Sequence, residues 1–394
     1  MSYLYNIAMH AYYGARKGKR TTFDEYKFET GLGTNILSLV ESIENRTYVP
    51  SRSVAFVISV PVVREIFAAP FRDRVVHHII IDAVMPWWDR RFIEDSYSCR
   101  KNKGTLYGIE RLQLKIHQAY TDPEFAGERV FVLKFDIKGY FMSMKREYLL
   151  KLALNGLKKQ FPTPHDPRYE LFAFLWAQTI LDDPTVGVTL RGGLKAWKKV
   201  VYEKSLLWQP YGQGIVIGNV TSQLLSNIML DELDRFVEYE LGYTNRYGRY
   251  VDDFFLVVHE SEMKQALEDK EKISKFLLER GLTLHPKKFH IYDARKGVPF
   301  IGARVSERHI TGGGRVIGNF RRTLWDIREY GLTPKLEARL ICQIGHLKKF
   351  NCFNFMVNNL HRAGLLDRFA EYLRDGDEKP GLIRGDEPGH ITRG

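Results

Sequence analysis

Residues 128–141 read ERVFVLKFDIKGYF, and residues 248–258 read GRYVDDFFLVV. In the first stretch Phe131, Leu133 and Phe135 alternate with Val132, Lys134 and Asp136, the period of two that a β-strand imposes. An aspartate therefore ends a strand otherwise built for burial. In the second stretch Asp252 and Asp253 interrupt an apolar, aromatic run. As separate turn residues these carboxylates would carry no chemistry. Brought together and buried, they would raise one another's pKa unless cations neutralised them. Hard oxygen ligands favour Mg²⁺, which takes one or two carboxylates and completes its shell with substrate phosphates. Two such ions about 4 Å apart activate an attacking hydroxyl and stabilise a leaving pyrophosphate in an in-line displacement.

Working outward, residues 1–50 read as helical, with a basic cluster (Arg16, Lys17, Lys19, Arg20) and an amphipathic stretch through Phe28, Leu32, Ile36, Leu39, Val40 and Ile43. Residues 53–68, rich in β-branched and aromatic side chains, predict a hairpin. Val75, Val76, Ile79, Ile80 and Val84 recur at helical spacing, and Pro86 is expected to end that helix. His77 and His78 on it point about 100° apart, which suits structural or solvated histidines better than a metal pair. GQGIVIGNVTSQ (212–223) leads into a helix with Leu224, Leu225, Ile228, Met229, Leu233, Phe236 and Val237 on one face, for which Thr221 or Ser222 is the expected N-cap. A helix over about 261–280 should stop at Gly281. GLTLHPKKFHIY and VPFIGARV read as short strands, and residues 315–375 as helical and basic. The Gly/Pro/charge-rich end after Gly376 reads as a disordered tail.

The 394 residues carry 59 Lys+Arg against 47 Asp+Glu, a net charge of +12, with 44% hydrophobic residues. Intrinsic disorder of the whole chain is excluded, and two or three domains are expected. The basic excess suits a polyanionic partner such as nucleic acid. Cys99, Cys342 and Cys352 are too few and too scattered for a disulfide framework or a CxxC zinc site. No apolar run approaches the ~18 residues of a membrane span, and the N-terminus lacks the order of a signal peptide. The expectation is a cytoplasmic protein with no membrane association.

The order FDIKGYF, GIVIGNVTSQLLSNIMLDELD, YVDDFFLVV, GLTLHPKKFH, VPFIGARV resembles the successive palm motifs of reverse transcriptases, over roughly Ser53 to Val305. The resemblance implies an α+β, right-hand polymerase fold: fingers, a palm of antiparallel sheet backed by helices, and a helical thumb. Its boundaries would be an N-terminal helical extension at 1–50, fingers at 51–125, palm at 126–305 with an insert at about 151–210, and thumb at 306–375. By the same resemblance Asp136 and Asp252 are the direct ligands of two Mg²⁺ ions, for which Mn²⁺ can substitute. Asp253 is the third carboxylate and the Ile137 carbonyl a backbone ligand. Phe141 matches the aromatic that closes the sugar pocket against a ribose 2′-hydroxyl. Lys287 or Lys288 resembles the lysine that protonates departing pyrophosphate. VPFIGARV matches the primer-grip hairpin. Arg64 and Arg100 lie where the family places cations on the triphosphate, with Arg72, Arg74, Lys101 and Lys103 as rivals. Ile217 and Gly218, with Gln223, match the loop under the templating base and incoming nucleotide. Gly139 stands where a Ser or Phe is more usual.

Within the family, APFRDRVVHH, RRFIEDSYSCRKNKGT and IGNVTSQLLSN resemble the enzymes of diversity-generating retroelements more than those of group II introns or retrons. Intron enzymes usually read QG followed by SP, so Ile217 stands where a Gln is expected and Gln223 where a Pro is expected. This subgroup implies copying of a template-repeat RNA into cDNA with errors at adenines, aided by a small, basic, helical accessory protein that assembles as an oligomer. A defence-associated reverse transcriptase acting on its own noncoding RNA, or without a template, would share the palm motifs. A catalytically silent RNA-binding scaffold would have no use for the acid cluster.

Overall fold

Three helices, α1 (Tyr3–Arg16), α2 (Phe23–Thr30) and α3 (Leu32–Glu44), open the chain. The computed structural model describes residues 3–17, 22–59 and 62–374, so Lys19 and Arg20 of the N-terminal basic cluster and the tail from 375 lie outside the described residues. The chain forms two units, Met1–Asp293 and Ala294–Gly394.

In the first unit the hairpin expected at 53–68 is present as β1 (Val54–Ile58) and β2 (Arg64–Ala68), antiparallel. It feeds α4 (Phe71–Asp89), whose Val75, Val76, Ile79, Ile80 and Val84 are all buried. Pro86 does not end this helix; it lies inside it. An internal proline costs about 3 kcal/mol or more, which packing beyond it offsets. Trp88, stacked on Phe92 at 5.5 Å, lies so close to Gly156 that a Cβ there would meet the indole at 2.2 Å. Next come α5 (Thr105–Tyr120) and the central strand β3 (Val130–Asp136). After the short α6 (Tyr140–Ser143), the insert opens with α7 (Arg146–Gln160) and α8 (Pro167–Leu181). It then becomes irregular, with β4 (Thr189–Leu190), paired parallel to β1, the one-turn α9 (Leu194–Trp197), and 3₁₀ turns at Tyr202–Lys204 and Leu206–Trp208.

The N-cap position of helix α10 (Val220–Arg235) falls at Asn219, whose side chain makes no capping hydrogen bond, and not at Thr221 or Ser222; the helix continues as a π turn over Phe236–Glu240. It also departs from a one-sided helix. Thr221, Ser222, Ser226, Asn227, Asp231 and Asp234 are buried along with the apolar face, and polar partners make that possible. Thr221 Oγ1 lies 2.9 Å from His77 Nδ1, and Asn227 Nδ2 donates to the Ser98 carbonyl at 2.9 Å. Strands β5 (Tyr247–Tyr250) and β6 (Asp253–His259), helix α11 (Met263–Glu279) and β7 (His290–Asp293) complete the unit. Gly281, at φ +75, turns the chain out of α11 as expected. The main sheet runs β5-β6-β3-β7, antiparallel throughout.

The second unit begins with a three-stranded antiparallel sheet, β8 (Val298–Phe300), β9 (Ala303–Val305) and β10 (Ile310–Gly312), so the primer-grip-like segment belongs with the C-terminal helices and not with the main sheet. Those helices are α12 (Gly314–Tyr330), α13 (Pro334–Leu347), α14 (Phe353–Arg362) and α15 (Leu366–Leu373). Phe320, Leu340, Ile344, Met356, Leu360 and Phe369 are fully buried. Among the described residues no helix is long and apolar enough to cross a membrane.

Candidate active site

The register of β3 against β6 pairs Phe135 with Phe254, their rings stacked at 4.8 Å, and Asp136 with Asp253. Directly opposed residues of an antiparallel pair share a face, so two acids project together at the sheet end. Asp252, in the tight turn before β6, accepts from the Ile137 N–H through its carbonyl at 3.2 Å. On the other edge of β3, residues 283–285 pair with 136–138: Lys138 N–H donates to the Thr283 carbonyl at 2.8 Å and His285 N–H to the Asp136 carbonyl at 2.7 Å. That pairing delivers the segment beyond Pro286 to the acids. Lys288 Nζ donates to both carboxylate oxygens of Asp136 at 2.8 Å. Lys287 does not reach them; its backbone N–H bonds to the His285 ring at 3.2 Å. Of the two candidate lysines the structure brings Lys288 to the site.

The strand period puts Lys134 on the same face as Asp136 without giving it a role, and the structure supplies one. Its Nζ donates to Asp253 Oδ2 at 3.1 Å. Identifying that partner requires the strand register as well as the period. The other oxygen, Asp253 Oδ1, is buried with no hydrogen-bond partner. Burial pushes the Asp252 carboxyl up to about 6, and the Asp136 and Asp253 charges add to the shift. Burial likewise raises Asp253, against the pull of Lys134.

Among the described residues no three His, Cys, Asp or Glu side chains stand spaced as a finished metal site. The donor set nevertheless fits a hard divalent cation: carboxylates that crowd and destabilise one another's charge, an orphaned buried oxygen on Asp253, and ammonium groups occupying the positions where positive charge is needed. Mg²⁺ does not require a cage of protein ligands, because substrate phosphates and waters fill its shell.

Gly139 holds φ +57, a left-handed conformation that L side chains rarely adopt, and it turns the chain from Asp136 into α6. Phe141 comes two residues later, half-buried, with its carbonyl accepting from Ile215 N–H at 3.0 Å. Phe141 and Ile217 pack on one apolar cluster made of Ala55, Phe67, Met142 and Leu206. The structure thus brings the sugar-pocket and template-loop candidates onto a common floor built by the hairpin and the insert. Gly218, at φ +124, lies beside β2, where a Cβ would come within 3.4 Å of Ile66, while Gln223 is exposed on the first turn of α10.

The triphosphate candidates divide. Arg64 is exposed at the start of β2. Arg100 is buried and engaged: Nε donates to Asp89 Oδ1 and Nη1 to the Ile93 carbonyl, both at 2.6 Å, while Nη1 also reaches the Ser96 carbonyl at 3.0 Å and Nη2 the Asp89 carbonyl at 2.8 Å. The expectation that it meets a substrate is corrected to an internal brace; a guanidinium with four of its five donors satisfied in this way has little left to offer a phosphate. Of its rivals, Arg72 stacks on Tyr48, Arg74 donates to the Ala69 carbonyl, and Lys103 pairs with Glu94 at 3.0 Å.

Sequence reasoning misses Arg249, whose Nη1 donates to the Val251 carbonyl at 3.0 Å immediately before Asp252. The signal that could have found it is an arginine inside an apolar strand.

The family described as "Reverse transcriptase (RNA-dependent DNA polymerase)" matches residues 63–305, and its α+β, right-hand polymerase class is the one read from the sequence. Protein YkfC of Escherichia coli (strain K12) is 25% identical over 288 residues, covering 65% of this chain and 66% of that protein. Among solved structures, apo telomerase of Candida tropicalis aligns with a TM-score of 0.48 at 11% identity, over 82% of this chain and 58% of that one. Telomerase of Candida albicans with a TWJ fragment of telomeric RNA aligns at 0.44 and 12%, over 85% and 62%. The chain spans less than two thirds of the length of these relatives.

Proposed function

Since the chain belongs to the reverse transcriptase family, we propose that it is an RNA-directed DNA polymerase, a nucleotidyltransferase that extends a primer on an RNA template from deoxynucleoside triphosphates. The observation that carries this reading is the pairing of Asp136 with Asp253 beside Asp252, with Lys288 on Asp136. Asp136 and Asp252, with Asp253 and the Ile137 carbonyl, would hold two Mg²⁺ ions, Mn²⁺ being a substitute; the bound ions supply activation of the primer hydroxyl and neutralise the triphosphate. Lys288, displaced from Asp136, is positioned to give a proton to the departing pyrophosphate. Phe141 closes the sugar pocket, Ile217 and Gly218 support the nascent pair, and Arg64 meets the triphosphate. Residues 51–125 act as fingers, 126–293 as palm, and the C-terminal unit, which takes in the 298–305 hairpin expected from sequence in the palm, as thumb. Primer extension on a defined RNA is the test: Asp252→Ala should abolish synthesis while leaving the protein folded, and retention of more than a few per cent of activity would place the chemistry elsewhere.

The subtype supported by IGNVTSQ is a diversity-generating retroelement enzyme, acting in the cytoplasm with a small basic accessory protein and copying its template RNA with adenine-directed errors. Ile217 can only pack where a Gln could hydrogen-bond. Loss of one bond worth about 0.5–1.5 kcal/mol relaxes base discrimination several-fold. Sequencing the products of wild-type and Ile217→Gln enzymes decides it: the variant should misincorporate less opposite adenine. A wild-type enzyme accurate at adenine would leave the defence-associated reading.

A further inference from the structure

Apart from Leu206, which enters the floor under Phe141 and Ile217, the irregular part of the insert, residues 186–211 (VGVTLRGGLKAWKKVVYEKSLLWQPY), has no role in the polymerase reading. It is nevertheless held firmly. Thr189 and Arg191 donate through backbone N–H to the carbonyls of Ser53 and Ala55, at 3.1 and 2.7 Å, extending the hairpin sheet. Glu65, 2% exposed, accepts from Ser205 Oγ at 2.5 Å and from Leu206 N–H at 2.8 Å, and Leu206 enters the floor beneath Phe141 and Ile217. Glu203 pairs with Lys138 at 3.6 Å, two residues beyond Asp136. The segment is thus anchored from below and beside the acids.

The outward side of this anchored segment is unusual for a protein surface. Tyr202 and Trp208 stack on each other with centroids 5.6 Å apart and planes 29° apart, yet they remain 63% and 60% exposed. The same segment carries Arg191, Lys195, Lys198, Lys199 and Lys204 against the single acid Glu203, and these side chains are exposed. An exposed, ordered aromatic pair can take up a further flat, apolar ring. Lysine is depleted from protein–protein interfaces, so this charge argues against a protein partner. A single-stranded nucleic acid meets both features, with its bases stacking on the rings and its phosphates among the ammonium groups. In a duplex the base faces are already occupied.

We propose that the Tyr202–Trp208 pair is a stacking platform for single-stranded RNA, and that the strand it holds is the template approaching the Asp136 site. The second clause rests on the polymerase reading; the first does not. The test uses the full chain, a short fluorescein-labelled oligouridine and an RNA duplex of equal length, monitored by anisotropy. Tyr202→Ala with Trp208→Ala should weaken single-strand binding about tenfold, roughly 1.4 kcal/mol, and leave duplex binding unchanged, while Trp208→Phe alone keeps most of the affinity. On primed templates the double variant should lose extension where a long single-stranded template lies ahead of the primer, and keep it where only one base does. Unchanged single-strand affinity, or equal loss on single strand and duplex, overturns the platform. Platform binding by a wild-type chain that extends no primer would instead overturn the polymerase reading, and with it the template role.

Discussion

Arg249 and Asp234 form an ion pair from which solvent is wholly excluded, Nε to Oδ1 and Nη2 to Oδ2 each at 2.6 Å. Tyr247 donates to the same carboxylate at 2.6 Å, and the guanidinium also reaches Ser96 Oγ and the Val251 carbonyl. Val251 is held at φ +58, with its N–H on Ser98 Oγ at 3.3 Å. A β-branched residue in the left-handed region is strained and persists only where its surroundings impose it. The buried pair therefore sets the turn from which Asp252 projects.

Removing one partner of such a pair leaves the other charged and buried, at a cost of about 3–5 kcal/mol. Arg249→Met should lower unfolding free energy by that amount in urea titrations, and Arg249→Met with Asp234→Leu should recover part of it. Val251→Gly, which accepts positive φ without steric cost, should preserve both folding and primer extension. If Arg249→Met unfolds no more readily than wild type, the pair does not hold the turn.

The bidentate contact of Lys288 with Asp136 separates two adjacent lysines that look alike in sequence. General acid assistance contributes about 10²–10⁴-fold, so Lys288→Ala should slow single-turnover nucleotide addition by about a hundredfold. Lys287→Ala should stay within about twofold, because only its backbone is engaged. Equal effects in the two variants would remove Lys288 from the proton-transfer role.

Phe141 is half-buried on a floor it shares with Ile217, so its ring is available to a bound sugar while its base is fixed by packing. Phe141→Ala should raise ribonucleotide incorporation far more than it lowers deoxynucleotide use, measured as the ratio of kcat/KM values. Truncating a partly buried ring also costs stability, here less than the roughly 3–5 kcal/mol that a fully buried one would lose. Unchanged discrimination would make Phe141 a packing residue alone.

The acids were legible because carboxylates inside apolar strands contradict burial, and the contradiction pointed to compensation. Their partners were less so. Strand period places Lys134 on its face, but its pairing with Asp253 depends on a register set 119 residues away in sequence. Arg249 needed Asp234, on a helix whose apolar stripe hid how fully it is buried. Local rules failed where tertiary contacts outweighed them: Pro86 continues its helix because Trp88 has a seat against Gly156, and Thr221 is free of the cap because its hydroxyl meets His77. Arg100 resembles a phosphate ligand because its charge is visible in sequence while the carbonyls that occupy it are not.

His77 yields a prediction about acid stability. Its ring is buried beside Thr221, and burial, aided by the His78 and Arg74 charges, pushes its pKa down to about 4. It lines a cavity of about 50 Å³ with Asp73, Arg146 and Asp182. Between about pH 4 and the ordinary value near 6.5, the unfolded chain binds a proton at His77 and the folded chain does not. The stabilisation is therefore present above pH 6.5 and is lost as pH falls toward 4, amounting to about 2 kcal/mol by pH 5. Asp182 works in the opposite sense. Burial raises its pKa to about 6 against the pull of Arg146, so its contribution declines as pH rises from about 4 to 6. The net profile mixes these two with other buried groups, Asp252 among them, and a difference between proteins isolates His77. His77→Gln, whose amide can still meet Thr221, should lose less stability than wild type between pH 7 and pH 5 in urea titrations, by about 2 kcal/mol. Parallel losses in the two proteins would mean that His77 is not held neutral in the fold.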